Sequence, residues 1–265
     1  MDWTSRIKAM VPALVAVAIA LSVWQGVTAT GLVPGYLLPG PGAVALALWT
    51  AIADGTLAHH LAPTLQAAAI GYVLGSLAGI LLAALIAESR MAERFLIVHL
   101  LALQAVPKVA VAPLIFLWVG FDLSGNIILV ALICFFPVFA NALAGFRAVE
   151  PGLLDLMRIA GASRLHRFAQ LRLPTAATHI FAGQEVAVTF ALIGCVVMEF
   201  VGSTRGIGFL IQDASNSFDL PLTFACIVSL GVIGIAGNAA VRQLRRRLVF
   251  WQPDGAAPAA EVPHV

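Results

Sequence analysis

Six apolar runs, each about twenty residues long, decide what this chain can be: Ala9–Val27, Leu65–Ala87, Leu96–Gly120, Asn126–Phe146, Phe181–Val201 and Pro221–Val241. At ~1.5 Å rise per residue, a helix of that length reaches across ~30 Å of hydrocarbon with some tilt or local thinning. With 61% hydrophobic and 11% charged residues over 265 positions, the chain carries more apolar surface than one water-soluble core can hide. The expected fold is therefore all-α, a polytopic membrane bundle of about six transmembrane helices, because a helix satisfies its own backbone in lipid.

Charge gives the topology. Arg6 and Lys8 precede the first run, and no Lys or Arg follows until Arg90. Cytoplasmic loops carry the excess of Lys and Arg, so 28–64 is expected outside and Glu88–Arg94 inside. Arg147 through Arg172 and Arg242 through Arg247 fall on the same side as Arg6, and Arg205 stands in an external segment. Both termini are then cytoplasmic. The first run lacks a convincing A-x-A cleavage site after it and is kept as an anchor. The net charge of +2 is no nucleic-acid signature. Cys134, Cys195 and Cys226 all fall inside runs, without CxxC or Cys/His spacing, so neither a disulfide nor a metal is implied.

Between the first two runs, Leu38-Pro39-Gly40-Pro41-Gly42 is a turn-rich connector, and 43–52 is too short to span. That segment is expected to lie along the outer interface with Trp49 near the headgroups. His59 and His60 lack further ligands and receive no role. In the second run Gly71, Gly75 and Gly79, continued by Ala83 and Ala87, recur every four residues and let another helix backbone approach closely. That helix belongs either to this chain or to a second copy.

The third run is broken by Pro107 and Pro113, with Lys108 beside the first. Discontinuous helices and intramembrane charges are tolerated where they are buried in protein or line a wet cavity, so Lys108 either faces a pathway or snorkels to the cytoplasmic interface. Asn141 adds a polar group in the fourth run, and Phe135 and Phe136 read as packing. Glu199, deep in the fifth run, is followed by the loop-like Val201–Gly208, in which Gly206 and Gly208 flank Ile207. It is either a functional acid or the ion-pair partner of Arg205.

The segment 148–174 is the long arginine-rich interruption of the second half. Pro151 suits the first turn of a helix that places Leu153, Leu154, Met157 and Ala160 largely on one side. Gly161 can adopt a positive φ and reverse the chain, Ser163 is positioned to cap a second helix carrying Leu165, Phe168 and Ala169, and Pro174 closes it. Two short amphipathic helices with Arg158, Arg164, Arg167 and Arg172 around an apolar knob suit a groove on a partner protein.

The same segment resembles the EAA loop of permease subunits of binding-protein-dependent ABC importers. The resemblance rests on Asp155, Arg158, Gly161, Ala162 and Ser163, then Leu173-Pro174 at the spacing of that motif. It extends from about Leu38-Pro39 to Trp251 through Pro107-Lys108, Ala112-Pro113-Leu114, Trp118, Gly120-Phe121, Phe135-Phe136-Pro137, Asn141, Gly145, Gly183, Glu199–Gly202 and Gly206-Ile207-Gly208, and it is similar to the sulfonate, taurine and nitrate branch. Two departures stand out. Asp155-Leu156-Met157 replaces Glu-Ala-Ala, and Gln184-Glu185 replaces an apolar and often basic pair.

The resemblance implies a multi-pass inner-membrane permease, itself no enzyme and without a cofactor, because ATP is bound and hydrolysed by a separate subunit. It implies a second copy of the permease, two cytoplasmic ATPases docked on the loop, and a periplasmic binding protein that delivers a small solute. Sulfonate, taurine or nitrate is expected; an aromatic heterocycle such as a thiamine or pyrimidine precursor is the alternative. Pro107, Lys108, Pro113, Asn141, Glu199, Gly206 and Gly208 are pathway or gate candidates. Residues 1–30 are read as the anchor, 31–64 as the periplasmic connector, 65–250 as the permease core and 251–265 as a cytoplasmic tail. An ion-coupled secondary transporter is the reading from another class, but it does not require Gly161 and Leu173-Pro174 at that spacing. HExxH, GxSxG and GxxxxGK[ST] are all absent, which speaks against an intramembrane enzyme or the ATPase itself.

Overall fold

A computed structural model describes residues 3–31, 33–35, 37–120 and 123–251; Phe121 and the tail 252–265 lie outside the described residues. All regular structure among them is helical: α1 Trp3–Ala29, α2 Pro41–Ala53, α3 Thr56–Glu88, α4 Arg90–Ala105, a 3-10 turn Lys108–Val111, α5 Ala112–Val119, α6 Leu123–Arg147, α7 Pro151–Ile159, α8 Arg164–Arg167, a π turn Phe168–Arg172, α9 Leu173–Gly202, α10 Ile207–Asn216 and α11 Leu220–Leu248. By length and composition α3, α6, the continuous α8–α9 and α11 can each cross a bilayer, and Met91–Ala105 with Lys108–Val119, bent by 83°, is either a broken span or a re-entrant loop. These four or five spans, with the shorter apolar stretch Val15–Ala29 of α1, are roughly consistent with the six expected runs.

The bundle is organised around α6, which is clasped between α3 and α9. Glycines make that possible. A Cβ added at Gly71 would lie 2.6 Å from Val130 Cβ, at Gly75 2.3 Å from the Ala131 carbonyl oxygen, and at Gly79 2.9 Å from that of Phe135. The glycine stripe therefore packs on α6 of the same chain. On the other side of α6, a Cβ at Gly183 would lie 2.9 Å from the Pro137 carbonyl oxygen, and one at Gly145 would lie 2.7 Å from His179 Cβ. Small residues exclude lipid and let dispersion contacts accumulate where no hydrophobic effect is available. Val130, Cys134 and Val138 of α6 meet Ala67 of α3 and Ala187 and Cys195 of α9, all fully buried. Polar groups add cross-links: Ser76 Oγ donates to Gln184 Oε1 at 2.8 Å, and Arg245 of α11 approaches Glu185 at 3.7 Å.

Outside this core, Leu81 and Ile235 are among the most exposed apolar side chains of the long helices. The short segment 43–52 is helical within α2, with Pro41 in its first turn and Trp49 exposed, and the indole of Trp24 in α1 donates to the Pro39 carbonyl at 3.1 Å just before it. The second span begins at Thr56, earlier than the apolar run at Leu65, and carries Pro63 within it.

One expectation fails here. Pro174 does not close the second loop helix. It stands in the first turn of α9, and the chain runs helically from Arg164 to Gly202. The widened π turn at Phe168–Arg172, in which the Leu173 N–H reaches back to the Phe168 carbonyl, carries the helix past the proline.

Candidate functional site

The loop between α6 and α9 is a rigid hairpin. Pro151 begins α7, and at its far end Gly161 takes φ +76°. The Gly161 N–H bonds the Arg158 carbonyl at 3.0 Å, and the Ala162 N–H bonds that of Met157 at 2.9 Å. This pair of bonds is a Schellman stop, which satisfies helix-end carbonyls and requires a left-handed residue after the cap. Ser163 Oγ then accepts from the His166 N–H at 3.2 Å and starts α8. Arg167 Nη1 closes the hairpin by donating to the Ala162 carbonyl at 2.8 Å. Asp155 and Arg158 pair at 2.7 Å on the solvated surface, where such a pair contributes little.

The hairpin is bolted to the bundle by Arg172. Its Nη1 donates to the Ala87 carbonyl at 2.7 Å, and its Nε lies 3.1 Å from Glu88 Oε1, so one guanidinium holds the last turn of α3. That is a favourable place for a cation, since free carbonyls and the helix dipole both attract it. Phe168 stacks on Phe146 of α6, with ring centroids 5.5 Å apart. The next link is an ion pair between Arg147 at the end of α6 and Glu93 of α4.

The apolar face of α7 differs in detail from the expected one. Leu154 and Met157 are half-buried, whereas Leu153 is exposed and Leu156, Ile159 and Leu165 present 62%, 86% and 76% of their surface to solvent. Leu173 is 41% exposed at the start of α9. A knob of exposed large apolar side chains on a fixed backbone is what a partner groove buries.

At the opposite end of α9, Glu199 is fully buried and forms a clasp. Thr64 Oγ1 of α3 donates to Glu199 Oε1 at 2.7 Å, the Gly208 N–H donates to Oε2 at 2.7 Å, and the Ile207 N–H donates to Thr64 Oγ1 at 2.9 Å. The carboxyl group thus satisfies the first turn of α10 from below and ties it to α3. Gly206, at φ +118°, leaves the room: a Cβ there would lie 2.2 Å from Glu199 Cδ. The alternative of an ion pair with Arg205 is not realised among the described residues. The Arg205 backbone exchanges hydrogen bonds with the Ser203 hydroxyl.

Pro107, Lys108 and Pro113 stand at the break between α4 and α5. Pro107 caps the 3-10 turn, Pro113 stands in the first turn of α5, and Lys108 Nζ donates to the Gln104 carbonyl at 2.8 Å, 4.4 Å from the centre of the Phe136 ring. Asn141, one turn along α6 from the Pro137 that lines the same space, donates to the Pro137 carbonyl at 2.8 Å beside Gly183. The sequence thus named two separate groups, the Lys108 break and the Glu199 clasp. It did not name Thr64, and it read Arg172 only as one of the loop arginines and Phe136 only as packing, without the contacts they make to α3 and to Lys108.

The described residues form a helical bundle with a sharply bent apolar helix pair and an exposed apolar hairpin. Residues 71–250 match the family of inner membrane components of binding-protein-dependent transport systems, and the chain belongs to it. It is 34% identical over 235 residues to an aliphatic sulfonates transport permease protein of Bacillus subtilis (strain 168), spanning 89% of this chain and 85% of that one. It is 36% identical over 239 residues to a riboflavin transport system permease protein of Chloroflexus aurantiacus, spanning 90% and 89%. Among solved structures, a chain of the inward-facing MetNI methionine ABC transporter superposes with TM-score 0.58 over 71% of this chain and 92% of that one, at 16% identity, which concerns the fold. The chain is therefore an ABC importer permease, a multi-pass inner-membrane component whose ATP hydrolysis belongs to separate subunits. This decides against the ion-coupled secondary transporter.

Proposed function

We propose that this permease forms, as a homodimer, the translocation pathway for a small solute such as a sulfonate, taurine or nitrate, delivered by a periplasmic binding protein. Two ATPases dock on the hairpin from the cytoplasm, where both termini also lie. Residues 1–30 act as an anchor, 31–64 as a periplasmic connector and 65–250 as the permease core. Asp155, Arg158, Gly161, Ala162, Ser163, Leu173 and Pro174 build the docking loop. Pro107, Lys108, Pro113 and Asn141 line the pathway, and Glu199 with Gly206 and Gly208 supports a gate at the outer end.

The observation that carries this reading is the exposure of Leu156, Ile159 and Leu165 on a hairpin whose backbone is fixed at both ends. Such side chains in water are an unfinished interface. Ile159→Asp and Leu165→Asp, each leaving the turn intact, are expected to abolish co-purification of the ATPase while the permease still inserts. Retained co-purification by both variants overturns the assignment of the docking face.

An aromatic heterocycle is the second reading, favoured by the likeness to a riboflavin transport permease at an identity no lower than that to the sulfonate one. Titrating the partner binding protein with taurine, butanesulfonate, nitrate, thiamine and riboflavin by calorimetry separates the two.

A further inference from the structure

The break in the third span borders a partly open cavity of about 320 Å³, lined by Gln104, Lys108, Ile133, Phe136, Phe190 and Ile193 among others. Its lining is apolar apart from Gln104 and Lys108. An ammonium has three N–H donors, and Gln104 takes one of them. The Phe136 ring offers its negative face, which stabilises a cation by about 0.5–2 kcal/mol. A lysine at mid-membrane depth costs about 2.5–3.5 kcal/mol on insertion scales, and no carboxylate pairs with Lys108 among the described residues. The site thus holds a partly compensated cation in an otherwise largely apolar pocket of small-ligand size.

That arrangement selects for a particular chemistry. A neutral ring system fills the walls but leaves the ammonium without a counter-charge. A bare inorganic anion meets the ammonium but leaves the aromatic and aliphatic walls unfilled, and it must surrender its hydration for a single charged contact. A monovalent anion bearing a short alkyl or aryl tail satisfies both. We propose that this cavity is a transient binding subsite within the permease for an alkyl or aryl sulfonate, with the anionic head on Lys108 and the tail against Phe190 and Ile193. The proposal rests on the reading of the 107–113 break as part of the translocation pathway, and it adds that the permease itself contributes to substrate selection.

Ala140 also lines this cavity, and the three native cysteines are fully buried, so Ala140→Cys places one reactive thiol in the site. The variant is assembled with its ATPase in nanodiscs and reacted with a small uncharged maleimide. Butanesulfonate is expected to slow the reaction about threefold at about twice its Kd, while butanol and sulfate leave the rate unchanged. Adding Lys108→Met removes the protection, and Lys108→Arg retains it. No protection by butanesulfonate, equal protection by butanol, or protection by riboflavin alone overturns the proposal. These comparisons need only the Ala140→Cys protein, so a Lys108→Met variant that fails to assemble leaves the test intact. Co-purification of the ATPase with the same sample reports separately on the importer reading.

Discussion

Thr64 and Glu199 are 135 residues apart in sequence and share a buried hydrogen bond of 2.7 Å that ties α9 to α3, while the Ile207 N–H of α10 donates to the same Thr64 hydroxyl. Removing the carboxylate leaves the buried Gly208 N–H without a partner, at about 1–3 kcal/mol, and leaves the Thr64 hydroxyl only its 3.2 Å bond to the His60 carbonyl. Glu199→Ala is therefore expected to lower the yield of assembled complex by size-exclusion chromatography. Glu199→Gln, which retains one acceptor, is expected to be intermediate. Arg205→Glu alone should assemble normally, and Glu199→Arg with Arg205→Glu should not rescue. Rescue by the exchange would restore the ion-pair model.

Gly206→Ala tests the same clasp by volume. Its Cβ would fall 2.2–2.5 Å from the carboxyl atoms of Glu199, and the backbone there is at φ +118°, so both crowding and strain act. Loss comparable to Glu199→Ala is expected, read as the thermal midpoint of the purified complex. A midpoint unchanged from wild type would mean that α10 can lift without loss.

Gly161 should behave differently from Gly206. A Cβ there meets nothing within 4 Å, so only the left-handed backbone penalises a side chain. Gly161→Asn is expected to transport normally and Gly161→Ala to be weakened by about 1–2 kcal/mol in the turn. The β-branched Gly161→Val should insert in the membrane yet lose ATPase co-purification. Wild-type co-purification by Gly161→Val would make the loop a generic connector.

Topology can be read with two thiols. Leu57 is buried beside α10 and α11, whereas Asp54 and Arg164 are exposed. Asp54→Cys and Arg164→Cys should label with an impermeant maleimide from opposite faces of the membrane. Labelling from one face refutes the arrangement with both termini in the cytoplasm.

What was legible in the sequence was the chemistry that only one residue type can perform. Gly161 and Ser163 announced a reversal and a cap because few residues take a positive φ or return a hydroxyl to a helix start, and the geometry is as the types demanded. The stripe Gly71-Gly75-Gly79 announced a close approach, although nothing in the residues said that α6 of the same chain would fill it. Illegible were features that depend on distant partners. Proximity in sequence suggested Arg205 for Glu199, but the real donors come from α3 and from the turn beyond. Pro174 read as a stop because proline removes an i→i−4 bond, and only the π turn before it shows how the helix passes.

The interlocked glycines have a consequence for how the two ends of the molecule are connected. An added Cβ at Gly75 would stand 2.3 Å from the Ala131 carbonyl oxygen, so α3 meets α6 backbone to backbone, and Gly183 brings α9 against α6 in the same way. Arg172 joins the hairpin to the last turn of α3, and Thr64, near the other end of that helix, holds α10, so α3 is the strut that the loop and the Glu199 clasp share. The 83° elbow between α4 and α5, which holds Lys108, stands beside this set.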